Sequence, residues 1–290
     1  MTETTRGVAA MIAACTVWGL SSLYYKMLAD VPPITVLAHR TIWSAVFFAL
    51  VLLVQGRFRV LTQALGQGRQ VAHIGLAALM ISCNWFFFIY SISVGHATQA
   101  SLGYYIFPLV AVLLGFVFFK ERLGLWQQIA VGLAALAVTT LTIGLGVAPY
   151  ISLVLAFSFG FYGVLKKSLN LGPVVSVTAE VILLVPIALV VLALGGLHVT
   201  DPAHLALMLG SGPLTGLPLI LFSYASRRIP MSTVGLLQYL NPTLQFLVAT
   251  LVFQEPFGIW YAIAFAMIWT ALAIYSTATV RAASRKKASA

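Results

Sequence analysis

The chain has 290 residues, of which 61% are hydrophobic and 8% are charged, and its formal net charge is +10. About a quarter of the residues in a soluble domain are charged, so this composition excludes an ordinary soluble protein and predicts an integral membrane protein. The positive charge would indicate nucleic-acid binding only if it gathered on one soluble face. It is instead spread over short segments between apolar stretches, so nucleic acid is not an expected partner.

Ten apolar stretches are long enough to cross a membrane, because a membrane-spanning helix needs about 20 residues. Every connection is short and leaves no room for a soluble domain. The sequence therefore predicts an all-α integral membrane protein with ten transmembrane helices. The predicted spans are 7–25, 34–54, 71–93, 98–119, 125–145, 148–165, 174–194, 204–225, 232–253 and 258–278.

The basic residues orient these spans. With the N-terminus in the cytoplasm, 14 of the 16 Lys and Arg residues fall on the cytoplasmic side, as the positive-inside rule requires. The other two are Lys26, at an outer span end, and Arg40, within the second span. We expect a multi-pass protein of the cytoplasmic (inner) membrane, in contact with the lipid bilayer. Both termini are expected in the cytoplasm, with a basic tail at 280–290.

Two motifs each occur twice in the chain. PLVAVLLGFVFFKERLGLW at 108–126 matches PTLQFLVATLVFQEPFGIW at 242–260, with an offset of 134 residues. WGLSSLYYK at 18–26 matches FGFYGVLKK at 159–167, with an offset of 141 residues. Matches at both ends of each half predict an internal repeat of the whole membrane region.

The repeat divides the chain into two copies of five spans, at 1–146 and 147–279. The two offsets differ because the predicted loop at 55–70 is longer than its counterpart near 195–203. Since five is odd, the second copy enters the membrane from the opposite side. The predicted fold is therefore two inverted five-helix repeats.

Each copy of the longer motif begins with a proline inside a span. A proline within a helix removes one backbone hydrogen bond and kinks the helix, which frees the carbonyls of Tyr104 and Gln238. Because the copies are inverted, Pro108 falls in the outer half of the membrane and Pro242 in the inner half. We expect this pair to gate opposite ends of a central path. The alternative is that both prolines only shape the packing.

The Glu–Gly–Trp end of each copy predicts the same tight corner between two helices. Glu121 and Glu255 are expected to cap the amide groups at the start of the next helix. Trp126 and Trp260 suit the membrane–water interface. This part of the motif is interpreted as structural.

Arg40 and Glu180 are ionisable residues at corresponding places in the two copies, and a charge inside a span indicates function by default. For Arg40 the alternative is that its side chain snorkels to the outer interface. For Glu180 the alternatives are an interfacial carboxylate, a lone carboxylate that faces a cavity, and an ion pair with Arg40. The cavity interpretation is favoured, since the two residues are offset in depth.

Aromatic and amide side chains gather near the prolines. Buried amides and phenols need partners, either across helices or on a ligand. A single amide typically joins two helices, whereas a group of aromatics and amides is typical of a pocket. The sequence thus predicts a site for a small-molecule substrate, formed by Trp18, Tyr24, Arg40, Asn84, Trp85, Tyr104, Tyr105, Tyr162, Glu180, Gln238, Tyr239 and Asn241.

Catalytic and cofactor motifs are missing from the sequence. It contains no HExxH, GxSxG or Walker A pattern. Of six acidic residues only Glu180 lies deep in a span, and His96, His198 and His204 lack the spacing of metal ligands. Neither an enzyme, nor a metal site, nor a cofactor is expected.

The chain resembles the EamA-like branch of the drug/metabolite transporter superfamily, and most closely its RarD-type members. The resemblance covers nearly the whole chain, through WGLSSLYYK, AHRTIWS, NWFFFIYSISVGHATQASLGYYIFPL, FFKERL, SFGFYGVLKK and ASRRIPMSTVGLLQYLNPTLQFLVATLVFQE. It implies ten helices in two inverted repeats, a central cavity, and export or exchange of small organic molecules. One departure concerns the two repeat-equivalent positions 107 and 241. Phe107 stands where the family has Asn, and Asn241 where it has a small residue.

These observations predict a secondary transporter that moves small organic metabolites or drugs across the cytoplasmic membrane by alternating access. Spans 1, 3, 4, 6, 8 and 9 are expected to line the path. One alternative is a flippase for a lipid-linked small molecule, and another is a non-transporting membrane protein or an intramembrane enzyme. A homodimer is an open alternative, although the monomer is expected to be transport-competent.

Overall fold

The computed structural model describes residues 2–120, 123–169, 171–194 and 201–288, of which 231–232 and 279–288 are described by their backbone alone. This part of the chain is helical and contains no strand, and nine of its helices are long and apolar enough to cross a membrane. The prediction of an all-α integral membrane protein is confirmed. The helices are α1 (Glu3–Lys26), α2 (Pro33–Val54), α3 (Phe58–Leu65), α4 (Gly68–Ser93), α5 (Ala97–Phe119), α6 (Leu125–Leu145), α7 (Tyr150–Lys167), α8 (Pro173–Leu194), α9 (Pro202–Ser226), α10 (Met231–Gln238), α11 (Leu240–Leu247) and α12 (Ile259–Ala288).

Polar side chains and prolines mark where the helices begin. Thr2 caps α1 by accepting a hydrogen bond from the amide of Thr5 at 3.2 Å. Asp201 caps α9 by accepting one from the amide of Ala203 at 3.0 Å. The helices α2, α8 and α9 each begin at a proline, which costs no hydrogen bond because the first amides of a helix have no partner within it.

The ninth predicted span is interrupted. The helices α10 and α11 meet at Tyr239, and a π-helical turn at Val248–Val252 follows α11. Pro242 accounts for the first break, because it offers no amide hydrogen to the carbonyl of Gln238. The amide of Tyr239 bonds to the carbonyl of Leu236 at 3.3 Å, a tighter turn than that of an α-helix. These segments together are compatible with a tenth crossing.

The helix α5, in contrast, runs unbroken through Pro108. The two prolines occupy repeat-equivalent positions, yet only the one in the second half coincides with a break in its helix. The kink expected at Pro108 stays a prediction.

The predicted loop at 55–70 contains the short helix α3. Its buried residues Leu61 and Ala64 lie three apart, on one face of the helix, and Leu61 packs against Leu52 and Val175. The prediction of an irregular connection missed this amphipathic turn. At the other end of the chain, the backbone of α12 stays helical beyond the predicted end of the tenth span.

The repeated motif ends in the same backbone turn in both halves. Lys120 and Gln254 each have φ = 53°, and they are the only non-glycine residues with positive φ in the described chain. They lie 134 residues apart, the offset of the repeated motif. The left-handed conformation is strained for a side chain, so its recurrence supports the predicted common corner.

Glu255 caps a different helix from the expected one. Its two carboxylate oxygens accept hydrogen bonds from the amides of Ala97 and Thr98, both at 2.7 Å. These amides begin α5, in the first half of the chain, and not α12, which follows Glu255 in sequence. Glu121, its repeat equivalent, lies outside the described residues.

Repeat-equivalent pairs of helices make the same contacts in the structure. The helix α1 packs against α9 as α4 packs against α7, and α5 packs against α7 as α11 packs against α1. Between the halves, α2 packs against α8 and α6 against α12. This arrangement is compatible with two inverted five-helix repeats around a common centre.

Candidate functional site

A central cavity of about 1020 Å³ lies between the two halves of the bundle. At its deep end are Arg40 and Trp85, and at its other end it reaches Arg227 and Leu236, which are exposed. This open end is the end that holds the N-terminus, since Arg228 forms an ion pair with Glu3 at 2.8 Å. The volume suits a small organic molecule, because ligand pockets measure roughly 300–1,000 Å³.

Buried apolar side chains close the bundle beyond the deep end of the cavity. Leu28, Ile92, Ala97 and Ala249 belong to one packed cluster, formed by the end of α1, the end of α4, the start of α5 and the π-helical turn. The Glu255 cap lies at this same end. The cavity is therefore open toward one end of the bundle and shut toward the other.

Most of the predicted site residues line this cavity, together with both prolines, Pro108 and Pro242. Three of the twelve do not, namely Tyr24, Tyr105 and Glu180. Those that do are Trp18, Arg40, Asn84, Trp85, Tyr104, Tyr162, Gln238, Tyr239 and Asn241.

Tyr24 and Tyr105 lie at contacts between helices instead of at the cavity. The hydroxyl of Tyr24 donates to the backbone carbonyl of Leu207 in α9, and that of Tyr105 bonds to the hydroxyl of Thr243 at 2.6 Å. Consecutive residues point about 100° apart around a helix, so only one member of each Tyr–Tyr pair faces the cavity. In the first pair it is Tyr25, which the sequence analysis did not select.

Glu180 is buried and fully partnered. Its carboxylate pairs with the Lys166 ammonium at 2.6 Å and accepts hydrogen bonds from the hydroxyls of Tyr162 and Ser176, both at 3.0 Å. The lone carboxylate, the interfacial carboxylate and the ion pair with Arg40 are all wrong. The physical reason is that Lys166, one turn after Tyr162, turns inward to the carboxylate. Glu180 does not line the cavity, but its partners Lys166 and Tyr162 do.

Arg40 is a buried cation without a counter-ion in the described part of the chain. Its guanidinium carbon lies 4.2 Å from the ring centre of Trp85 and 5.5 Å from that of Tyr25. The side chain is 7% exposed, and its Nε has no hydrogen-bond partner among the described residues. The snorkelling alternative is therefore wrong, because the side chain lines the cavity and does not reach the outer interface.

Asn84 joins three helices. Its amide nitrogen donates to the carbonyl of Leu155 at 3.0 Å and to the hydroxyl of Ser158 at 3.2 Å. Its oxygen accepts a hydrogen bond from the hydroxyl of Tyr104 at 2.9 Å. These bonds connect α4 with α7 and α5, so the polar atoms of Asn84 are already used within the protein.

The cavity also contains residues that sequence reasoning missed. Phe107 and Phe159 pack with their ring centres 4.7 Å apart, and Lys166 had been interpreted only as a topology signal. The repeat itself carried a signal for Lys166, since it is equivalent to Tyr25 in the match of WGLSSLYYK with FGFYGVLKK. Lining residues that sequence reasoning missed include Ser21, Tyr25, Phe88, Phe107, Phe159, Lys166 and Arg227.

The arrangement can hold a flat organic molecule. The walls are mainly aromatic, with a few polar side chains among them. Within the described ranges, no three His, Cys, Asp or Glu residues gather as a metal site. A deep cavity at the middle of a helical membrane bundle, open toward one end, is the architecture of a solute permease.

Comparison with known proteins agrees with this architecture. The model of the EamA-like transporter family matches residues 5–143. The uncharacterized transporter YojE of Bacillus subtilis (strain 168) is 40% identical over 288 residues, which cover 96% of each chain. Protein RarD of Streptomyces exfoliatus is 39% identical over 292 residues, which cover 99% of this chain and 93% of that protein.

The chain belongs to the EamA-like transporter family. It is thus a multi-pass membrane permease and not an enzyme, as the sequence predicted. A crystal structure with 19% sequence identity matches with a TM-score of 0.62, over 93% of this chain and 96% of that one. At this identity the match shows that the fold is shared.

Proposed function

We propose that the protein is a secondary transporter, which carries a small organic molecule through the central cavity by alternating access. The observation that carries this proposal is the deep cavity between the two halves. It opens toward one end of the bundle, while a buried apolar cluster closes the other. A transporter of this kind exposes one site to each side of the membrane in turn.

The closed end is held by contacts between the two halves. Glu255, from the second half, binds the first amides of α5, from the first half. The hydroxyl of Ser101 in α5 donates to the carbonyl of Pro242 at 2.9 Å, across the same boundary. Movement of residues 1–146 against residues 147–279 would break such contacts at one end and form others at the opposite end.

The prolines are the proposed hinges of this movement. Pro108 and Pro242 both line the cavity, and α10 and α11 meet at a break close to Pro242. A chain that is already interrupted can bend there with little loss of hydrogen bonding. Gating of the cavity by these two prolines is therefore part of the proposal.

The open end of the cavity is proposed to face the cytoplasm. It lies beside the N-terminus and Arg227, and the positive-inside rule puts the basic connections on this side. Both termini would then be cytoplasmic, in the inner membrane of a bacterial cell. One chain supplies every group that lines the cavity, so we expect the monomer to transport, whether or not it forms a homodimer.

Counterflow in proteoliposomes tests the proposal. Benzenesulfonate and phenyltrimethylammonium are flat, permanently charged and unable to cross lipid, and a transporter should exchange the labelled form of one of them. Phe159→Ala removes an aromatic wall of the cavity and should slow this exchange, whereas Phe157→Ala, on the exposed face of the same helix, should not. Equal flux with and without protein for both ions would contradict the transport function.

A further inference from the structure

We infer that the transported molecule is an organic anion, and that Arg40 binds its charged group at the deep end of the cavity. The class of ligand is a flat, mainly aromatic molecule with one carboxylate, sulfonate or similar oxyanion. This inference rests on the proposed function, because it specifies the cargo for the same cavity.

Two buried polar groups at the deep end lack a hydrogen-bond partner in the described chain, on side chains whose guanidinium carbon and ring centre are 5.5 Å apart. The Nε of Arg40 and the hydroxyl of Tyr25 both lack a partner among the described residues, and both side chains line the cavity. A buried guanidinium N–H without a partner is unfavourable in a low-dielectric site. Since a guanidinium can only donate, the partner that Arg40 lacks is an acceptor, and an oxyanion at the guanidinium would supply one.

The second half of the chain shows the same arrangement with its charge satisfied. Tyr25 is equivalent to Lys166 at the offset of 141, and Arg40 corresponds to Glu180 at an offset of 140. In the second half these positions form an ion pair at 2.6 Å. In the first half a tyrosine replaces the ionised partner, so Arg40 has no counter-ion among the residues that the structure describes.

The charges along the cavity favour an anion over a cation. Arg40, Lys166 and Arg227 line it, and no Asp or Glu side chain does so in the part of the chain that the structure describes. Glu180 balances only Lys166, so the cavity keeps a net positive charge. A cavity whose lining charges all have one sign, between low-dielectric walls, raises the local concentration of ligands of the opposite charge.

The aromatic walls fit the remainder of such a ligand. Phe159 and Tyr162 are stacked with an interplanar angle of 12°, and Phe88 lies near Trp85 at the deep end. The guanidinium of Arg40 lies over the face of Trp85, which leaves the donors at its planar edge for an oxyanion. An aromatic body would then rest on the walls while its charged group meets Arg40.

Binding to the purified protein tests the inference with three probes of similar shape. Benzenesulfonate is an anion, benzenesulfonamide is neutral and phenyltrimethylammonium is a cation. The wild-type protein should bind the anion roughly 10- to 100-fold more tightly than the amide, the factor expected for a charge-assisted hydrogen bond. Isothermal titration calorimetry measures the three affinities.

Substitution of Arg40 should remove this preference. Arg40→Gln should bind benzenesulfonate no better than the amide, and Arg40→Lys should keep part of the preference because it keeps the charge. Arg6→Gln is the matched control, since it removes an exposed cation at the same end of the bundle that does not line the cavity, and it should change the affinity by about twofold or less. Unchanged anion binding in Arg40→Gln, or tighter binding of the neutral or cationic probe by wild type, would overturn the inference.

If Arg40→Gln does not fold, quenching of the Trp85 fluorescence in protein that keeps Arg40 tests the inference instead. The difference between wild type and Trp85→Phe isolates the emission of Trp85, which lies against Arg40. Iodide should quench this emission several-fold more strongly than caesium, and neutral acrylamide reports access to the ring. Equal quenching by iodide and caesium would overturn the inference.

The two proposals fail in different ways. Counterflow of phenyltrimethylammonium without that of benzenesulfonate would support transport and overturn the anion site. Tight binding of benzenesulfonate that depends on Arg40, without counterflow, would support the anion site and overturn transport.

Discussion

Glu180 and Lys166 form the buried ion pair of the second half, and their environments differ. The Glu180 side chain is 1% exposed, whereas that of Lys166 is 23% exposed at the cavity wall. The pair is thus buried on one side and open to cavity water on the other. Removing the carboxylate would leave a partly hydrated cation beside two hydroxyl groups.

Glu180→Gln should lower the free energy of unfolding by about 1–3 kcal/mol, because it removes the charge that holds Lys166 and weakens two hydrogen bonds. The double variant Glu180→Gln/Lys166→Met should recover part of this loss, since no unpaired charge is left. Unfolding of the purified protein by SDS titration measures both values.

Glu3→Gln is the matched control for this experiment. Glu3 pairs with Arg6 and Arg228 at the bundle surface, where its side chain is 62% exposed, and its loss should cost about 0–1 kcal/mol. A cost for Glu180→Gln as small as that for Glu3→Gln would show that the buried pair contributes nothing to stability.

Asn84 should stabilise the bundle more than any one of its partners. A hydrogen bond between membrane helices contributes about 0.6 kcal/mol on average. Tyr104→Phe removes one bond to Asn84 and should cost about that much, while Asn84→Ala removes three and should cost about 1–2 kcal/mol. Thr142→Val, which loses only a bond within α6, should be neutral in the same SDS titration. Equal costs for Asn84→Ala and Thr142→Val would contradict the bridging role.

The sequence indicated which residue types form the site, but it indicated less well which of their side chains face the cavity. The aromatic and amide residues near the prolines do line the cavity, because spans that face a common centre bring such residues together. Tyr24 and Tyr25 differ by one position, and only packing decides which of them faces inward. The partner of Glu180 depends on how the flexible side chain of Lys166 turns, which no spacing rule specifies.

At the scale of helices, the two prolines differ although the repeat makes them equivalent. Pro242→Ala restores an amide that can bond to the carbonyl of Gln238, so α10 and α11 should merge into one helix. A proline inside a helix costs about 3 kcal/mol, and removing it should favour a single access state. We expect slower counterflow in this variant.

Pro108→Ala should also slow counterflow, but it should favour access from the opposite side, because the repeats are inverted. Pro186→Ala is the control, since Pro186 lies inside α8 and does not line the cavity. Thiol labelling of a cavity cysteine from each side measures the bias. Wild-type labelling in both cavity variants would leave the prolines with a packing role alone.

The Glu255 cap should hold one end of the bundle shut. Glu255→Ala removes two hydrogen bonds to the start of α5 and should shift the access equilibrium by roughly tenfold, in line with about 1–2 kcal/mol for a helix cap. A cavity cysteine should then react faster from the closed end.

Asp201→Ala provides the matched comparison for Glu255→Ala. Asp201 caps its own helix, α9, at the same end of the bundle, and its contacts with the amide of Ala203 and with His204 both lie within the second half. It should lower stability without changing access. If both variants change the labelling rate alike, the Glu255 cap acts only as a local helix cap.

For the whole molecule, the repeated motif was the most informative feature of the sequence. It predicted the common corner, which the matched φ angles of Lys120 and Gln254 support, and it predicted an inverted repeat with which the helix packing is compatible. The break near Pro242 was less predictable, because equivalent prolines give a break in one half and a continuous α5 in the other. That difference depends on the neighbouring helices, and neither motif encodes it.

Alternating access is tested by whether one cavity residue can be reached from both sides of the membrane. Ser21 lines the cavity, and Ser21→Cys is a conservative change in a chain that also carries Cys15→Ala and Cys83→Ala. An impermeant anionic methanethiosulfonate reagent is added to right-side-out and to inside-out vesicles. The two exposed connections Gln67→Cys and Ala148→Cys, at opposite ends of the bundle, report the two sides.

Under alternating access, Ser21→Cys should react in both kinds of vesicle, while Gln67→Cys and Ala148→Cys should each react in only one, with Gln67→Cys on the cytoplasmic side. Labelling of Ser21→Cys from the cytoplasmic side alone, at every time point, would show a static vestibule and would contradict alternating access.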